Sequence, residues 1–146
     1  MCIRDRVTSL ALEPDAPLKK SCGACTRCVT ACPTGALRGD YTIDATRCIS
    51  DLTQRTGPIP RELRPLIGTW VWGCDICQDV CPFNTRAPSS SDPDVQPRLP
   101  DGRVNLADLM AWDVDRYRQQ FRDSAVRRVS LPILQRNAGM ALRRLP

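Results

Sequence analysis

The sequence predicts an α+β protein in two unequal parts, and three observations predict it. Eight cysteines fall between positions 22 and 81 in two related runs, short β-prone segments flank them, and apolar residues recur at helical spacing beyond position 104. Taken in order, Met1–Arg6 connects to nothing downstream and reads as a non-native scar, which sets Cys2 aside with it. Val7 to Leu12 is expected to be a short strand ended by Glu13-Pro14. Residues 21–37 carry the first cysteine run, and Tyr41-Thr42-Ile43-Asp44 alternates as a strand leading into Cys48. Residues 49–73 form an insertion, with turn chemistry at Gly57-Pro58-Ile59-Pro60 and a helix expected across Glu62–Ile67. The second run occupies 74–82. Residues 86–103, rich in proline and serine, read as a linker. In the remaining segment, 104–146, Leu106, Leu109, Met110, Tyr117, Phe121, Val126, Val129, Ile133 and Leu134 predict two or three helices, the first capped by Asn105.

Composition limits what such a chain can do. Aromatic residues make up 5% of 146 positions, with thirteen prolines, so an apolar core is thin and bound metal or cross-links are needed. Nine cysteines cannot pair completely within one chain. No leader pattern or long apolar stretch is present, so the expectation is a cytoplasmic protein with no membrane contact. A reducing compartment then favours metal ligation over disulfides. Histidine is absent, which excludes Cys2His2 zinc, Rieske centres and histidine-ligated haem.

The cysteine spacing is specific. Cys22-x2-Cys25-x2-Cys28-x3-Cys32-Pro33 is the bacterial ferredoxin run, in which the fourth cysteine serves the other of two 4Fe–4S clusters. The second half, Cys48 followed after the insertion by Cys74-x2-Cys77-x3-Cys81-Pro82, repeats it imperfectly, with Ile43-Asp44 in the approach. The exchange rule assigns Cys22, Cys25, Cys28 and Cys81 to one cluster, and Cys32, Cys48, Cys74 and Cys77 to the other. The predicted fold is therefore a two-cluster, ferredoxin-like domain over 7–85 followed by a short α-helical segment over 104–146.

Charge divides the chain along the same line. Residues 116–146 hold eight arginines against Asp123 alone, while residues 1–115 hold thirteen basic and fifteen acidic side chains. A basic helical surface suits a polyanion, although a solvated helix face has the same composition.

Several stretches resemble epoxyqueuosine reductases: Cys22-Gly-Ala-Cys-Thr-Arg-Cys28, Ala31-Cys-Pro-Thr-Gly-Ala-Leu37, Arg47-Cys-Ile-Ser50, Gly57-Pro-Ile-Pro-Arg-Glu-Leu-Arg64, Gly73-Cys-Asp-Ile-Cys-Gln-Asp-Val-Cys-Pro-Phe-Asn84, Phe121-Arg-Asp-Ser-Ala125 and Arg136-Asn137-Ala138. The resemblance implies an oxidoreductase that converts epoxyqueuosine to queuosine at the tRNA wobble position, using cobalamin and two 4Fe–4S clusters. It implies that the helical segment is HEAT-like and that both parts belong to a larger enzyme, with the proton donor and most of the cobalamin site in an N-terminal domain outside this chain, so that the fragment alone is inactive. By position, Ser50 and Asp75 would approach the cobalamin. Gln54, Arg55 and Thr56 would meet tRNA, joined by Arg127, Arg128 and Arg136 of the basic segment. Asp51 departs from the resemblance, standing where an aromatic residue is more usual. The expected partners are tRNA and an external low-potential electron donor, and the expected state is a monomer. Alternatives are a stand-alone or subunit ferredoxin, a reductive-dehalogenase-like cobalamin enzyme, and an RNA-binding module with structural clusters.

Overall fold

The computed structural model describes residues 9–17, 21–97 and 99–144. Residues 1–6 and Cys2 lie outside this range. Helices dominate: α1 (Arg27–Ala31), α2 (Ile49–Gln54), α3 (Arg64–Ile67), α4 (Ile76–Asp79), α5 (Leu106–Ala111), α6 (Val114–Gln120) and α7 (Leu131–Leu142), with short 3-10 turns at Pro93–Val95, Pro100–Gly102 and Ala125–Arg128.

The expected β component is not found among the described residues. Of the strand expected over Val7 to Leu12, positions 9–12 are irregular and the rest lies outside the described range. The strand expected at Tyr41–Asp44 is reduced to a single antiparallel bridge, Leu37 to Ile43. Two main-chain bonds close it, Arg38 N–H to the Thr42 carbonyl (3.2 Å) and Asp44 N–H to the Ala36 carbonyl (2.8 Å). Gly39 and Tyr41 take positive φ values of 83° and 63°, so the chain reverses before a second rung can form. Tyr41 and Ile43 are exposed, and a lone rung with no apolar face to bury does not extend.

Two of the helices, α5 and α6, start where their side-chain caps dictate. Asn105 Oδ1 accepts from the N–H groups of Ala107 (2.9 Å) and Asp108 (3.1 Å), as expected for the first helix of the back half. Asp113 does the same for α6 through the Arg116 N–H at 2.7 Å. In the insertion, the helix expected from Glu62 begins at Arg64, because Arg61–Leu63 are held in turns.

Two cores organise the chain. Leu109, Trp112, Tyr117, Phe121, Val129, Leu131, Leu134 and Ala138 form the larger, and Val71 and Trp72 of the insertion pack on it. The Tyr117 hydroxyl donates to the Val129 carbonyl at 2.5 Å, tying α6 to the segment before α7. Ile49, Leu52, Ile59, Leu63 and Ile67 form the smaller core, bordered by Trp70, Cys74 and Met140. The insertion thus contributes to both cores, and α7 reaches both through Leu134 and Met140.

Candidate metal centre

The eight cysteines lie in or beside short helices and the loop that leads into α1. The first loop turns at once: Cys25 N–H bonds the Cys22 carbonyl at 3.1 Å, and Gly23 takes the left-handed conformation inside that turn, φ +55°, at no steric cost. Cys28 is the second residue of the short helix α1, and Cys32 caps its end. Cys77 lies inside α4, one turn before Cys81. α1 packs against α4, so two equivalent turns of helix lie side by side, each passing from one cysteine to the next. Cys48 caps the N-terminus of α2.

All eight are free thiols; Cys22 and Cys25 are exposed and the other six partly buried. Burial raises the Cys74 thiol above its ordinary value, and the nearby sulfurs of Cys48 and Cys77 and the Asp75 carboxylate push the same way against the Ile76 N–H. Burial also raises Cys77, which feels Cys48 and Cys28. Cys48, Cys74 and Cys77 are therefore neighbours although twenty-five residues part the first two. Cys32 goes the other way. Burial would raise it, but the Thr34 hydroxyl and the main chain at Leu37, Ala36 and Thr34 together bring it below an ordinary thiol.

Among the described residues, no three His, Cys, Asp or Glu side chains converge as one bound metal ion would require. A cube-shaped cluster takes each thiolate on a different iron, so its ligands stand apart at the corners. An all-thiol donor set in a chain without histidine fits 4Fe–4S clusters, and the spacing does too.

Of the residues expected near cobalamin and RNA, Ser50, Gln54, Arg55 and Thr56 lie on α2 and the loop that follows it. Ser50 is partly buried, and its hydroxyl and carbonyl accept from the Gln54 side-chain amide at 3.1 and 2.9 Å. Asp75 is exposed at the start of α4 and accepts from Gln78 at 2.9 Å. Arg55 pairs with Asp51 one helical turn back, its Nε 2.7 Å from the carboxylate. The residue that departs from the resemblance thus holds the guanidinium against the helix. Thr56 is exposed.

The eight C-terminal arginines do not form one outward surface. Arg136, expected among the RNA contacts, turns inward. Its guanidinium donates to the carbonyls of Leu52 (3.1 Å), Arg55 (3.1 Å) and Gly57, closing the end of α2 and the loop beyond it. Arg144 donates to the carbonyls of Arg64 (2.9 Å) and Pro65. Arg116 lies 4.9 Å from the centre of the Trp112 ring, and Arg118 and Arg122 sit in loose pairs with Asp115 and Asp123. Arg127 and Arg128 are exposed on the turn after Ser124.

Two polar residues that spacing does not single out join these parts. Asn137, 1% exposed, donates from Nδ2 to the carbonyls of Thr53 (2.8 Å) and Val71 (2.7 Å), and its Oδ1 accepts from Arg136. The buried Thr53 hydroxyl donates to the Ile49 carbonyl at 2.9 Å and accepts from the Gly73 N–H at 3.0 Å. Gly73 directly precedes Cys74, so α7, α2 and the second cysteine run share one hydrogen-bonded joint. A sequence signal for Asn137 existed: a lone amide among Leu134, Ala138 and Ala141 on the buried face of α7.

Comparison with known proteins agrees with this arrangement. Residues 21–84 match the family described as the 4Fe-4S double cluster binding domain. The chain is 40% identical to the epoxyqueuosine reductase of Synechococcus sp. (strain CC9605) over 144 residues, 97% of this chain and 45% of that protein. It is 40% identical to the epoxyqueuosine reductase of Escherichia coli K12 over 141 residues, 96% of this chain and 37% of that protein. Among solved structures, epoxyqueuosine reductase from Bacillus subtilis superposes with a TM-score of 0.82 at 40% identity, covering 90% of this chain and 35% of that one. An epoxyqueuosine reductase bound to an epoxyqueuosine-modified tRNA-Tyr stem loop gives the same TM-score and identity, covering 89% of this chain and 35% of that one. The chain thus spans less than half the length of these relatives.

Proposed function

We propose, from the premise that this chain is the cluster-carrying segment of an epoxyqueuosine reductase, that it conducts electrons to the reduction of epoxyqueuosine in tRNA. Cys22, Cys25, Cys28 and Cys81 hold one 4Fe–4S cluster, and Cys32, Cys48, Cys74 and Cys77 hold the other, on a ferredoxin-like frame. When bound, the clusters supply one-electron transfer from an external low-potential donor, and a cobalamin held mainly by another part of the enzyme supplies the chemistry at the epoxide. The chain's own residues set the stage. Ser50 and Asp75 present polar groups to the cobalamin, and Gln54, Thr56, Arg127 and Arg128 meet the RNA. Arg136 and Arg55 position the loop between them rather than contacting phosphate directly.

One observation carries this reading over a free electron carrier. The insertion between Cys48 and Cys74 is bolted to an arginine-rich helical module by Arg136 and Asn137. A diffusing ferredoxin needs its clusters and a docking edge, and gains nothing from a second core locked to them. The test is a chimera in which residues 21–144 replace the matching segment of the Escherichia coli relative, followed by nucleoside analysis of its tRNA. Queuosine is the expected product. A folded chimera with its full iron content that leaves epoxyqueuosine unreduced overturns the proposal.

A further inference from the structure

The two cysteine runs match in their ligands but differ just beyond them. Cys32-Pro33 is followed by Thr34, and Cys81-Pro82 by Phe83. Thr34 is 1% exposed, whereas Phe83 is 59% exposed. A buried hydroxyl needs a partner, and that of Thr34 lies 3.6 Å from the Cys32 sulfur. The position is held from behind. Arg47, the residue before Cys48, donates from Nε to the Thr34 carbonyl at 2.8 Å, and the Gly35 N–H bonds the Cys32 carbonyl at 3.1 Å. Phe83 offers no hydroxyl at the matching place.

We propose that Thr34 tunes one cluster and not the other: its hydroxyl donates a hydrogen bond to the Cys32 sulfur and raises the reduction potential of the cluster that Cys32 ligates. The proposal rests on the two-cluster reading of the cysteines. Reduction adds one electron to the cluster, and the added negative charge is shared with its sulfur ligands. A donor aimed at such a sulfur stabilises the reduced form more than the oxidised form, and hydrogen bonding to sulfur is an established lever on cluster potential. Burial of Thr34 strengthens the effect, because water does not compete with the sulfur for its hydroxyl. Arg47 links the Cys32 and Cys48 segments, so the hydroxyl is positioned by a second ligand arm of the same cluster. Thr34 is a positioning and tuning residue; it does not ligate iron.

The experiment is an anaerobic redox titration of the reconstituted chain with dithionite, followed by EPR, on wild type, T34V, T34A and T34S. Wild type is expected to load about eight irons per chain; fewer would refute the two-cluster reading independently of Thr34. In T34V the reduced-to-oxidised ratio of one cluster at a fixed potential should fall by up to about tenfold, which is about 59 mV for a one-electron couple. The second cluster should be unmoved, and T34S should stay near wild type. T34A repeats the test with a smaller side chain. Unchanged potentials in a fully loaded T34V, or equal shifts of both clusters, overturn the proposal. Loss of iron in both T34V and T34A would assign Thr34 to folding and overturn it as well.

Discussion

Replacing Asn137 by alanine tests whether the insertion and the helical module are one cooperative body. The substitution removes the donors from two carbonyls, those of Thr53 and Val71, with Thr53 itself fully buried. It also removes the Oδ1 acceptor of Arg136, which retains its other carbonyl partners. Leaving a buried polar group unsatisfied costs about 1–3 kcal/mol, so two such groups predict about 2–6 kcal/mol. With a urea m-value of about 2 kcal/mol/M, a loss near 3 kcal/mol moves the midpoint down by about 1.5 M. Tryptophan fluorescence is a suitable probe, because Trp72 and Trp112 both belong to the larger core. Iron content must be equal in the compared samples, since cluster binding is itself folding free energy. Arg136→Ala should cost less, about 1–2 kcal/mol, because its site is partly open to water. The two losses should not add, since the side chains are in contact. Gln119→Ala, at an exposed position, should stay within about 0.5 kcal/mol of wild type. If Asn137→Ala did the same at full iron content, the joint would not be a stabilising element and the reasoning above would fail.

Two further outcomes are expected. Cys81→Ser should perturb the cluster held by Cys22, Cys25 and Cys28, although Cys81 belongs to the second run; EPR and iron analysis that instead report damage at the Cys74–Cys77 site would reverse the ligand exchange. The double reversal Arg127→Glu with Arg128→Glu should weaken binding of a tRNA anticodon stem loop and lower its log–log salt slope by about 1–2 units with iron content intact; equal slopes for mutant and wild type would return these arginines to the status of a solvated surface.

The double-cluster domain over residues 21–84 is legible in the cysteine spacing, for a physical reason. A Cys-x2-Cys step closes through one tight turn, and a Cys-x3-Cys step through one turn of helix, so spacing alone constrains where each thiol points. Asn105 as a helix cap was legible on the same ground, since its partners lie two and three residues away. The strand expected at Tyr41–Asp44 does not form, because alternation is a necessary condition for a strand and not a sufficient one. Without a neighbour to pair with or a core to face, the segment stops at one bridge.

The basic segment shows the opposite limit. Composition alone cannot tell an arginine that faces water from one that closes a helix end eighty residues away. Arg127 and Arg136 are chemically the same side chain, yet Arg136 reaches the carbonyls of Leu52 and Arg55 only because α7 packs against α2. Thr34, Thr53 and Asn137 are likewise ordinary polar residues in the sequence, and each acquires its role from burial. The residues alone are enough for the double-cluster cysteine pattern and for the caps of α5 and α6, because those depend on groups a few positions apart. Tertiary structure alone decided which arginines remain free, which hydroxyl reaches a cysteine sulfur and how the insertion is locked to α7, because each depends on groups brought together from distant parts of the chain.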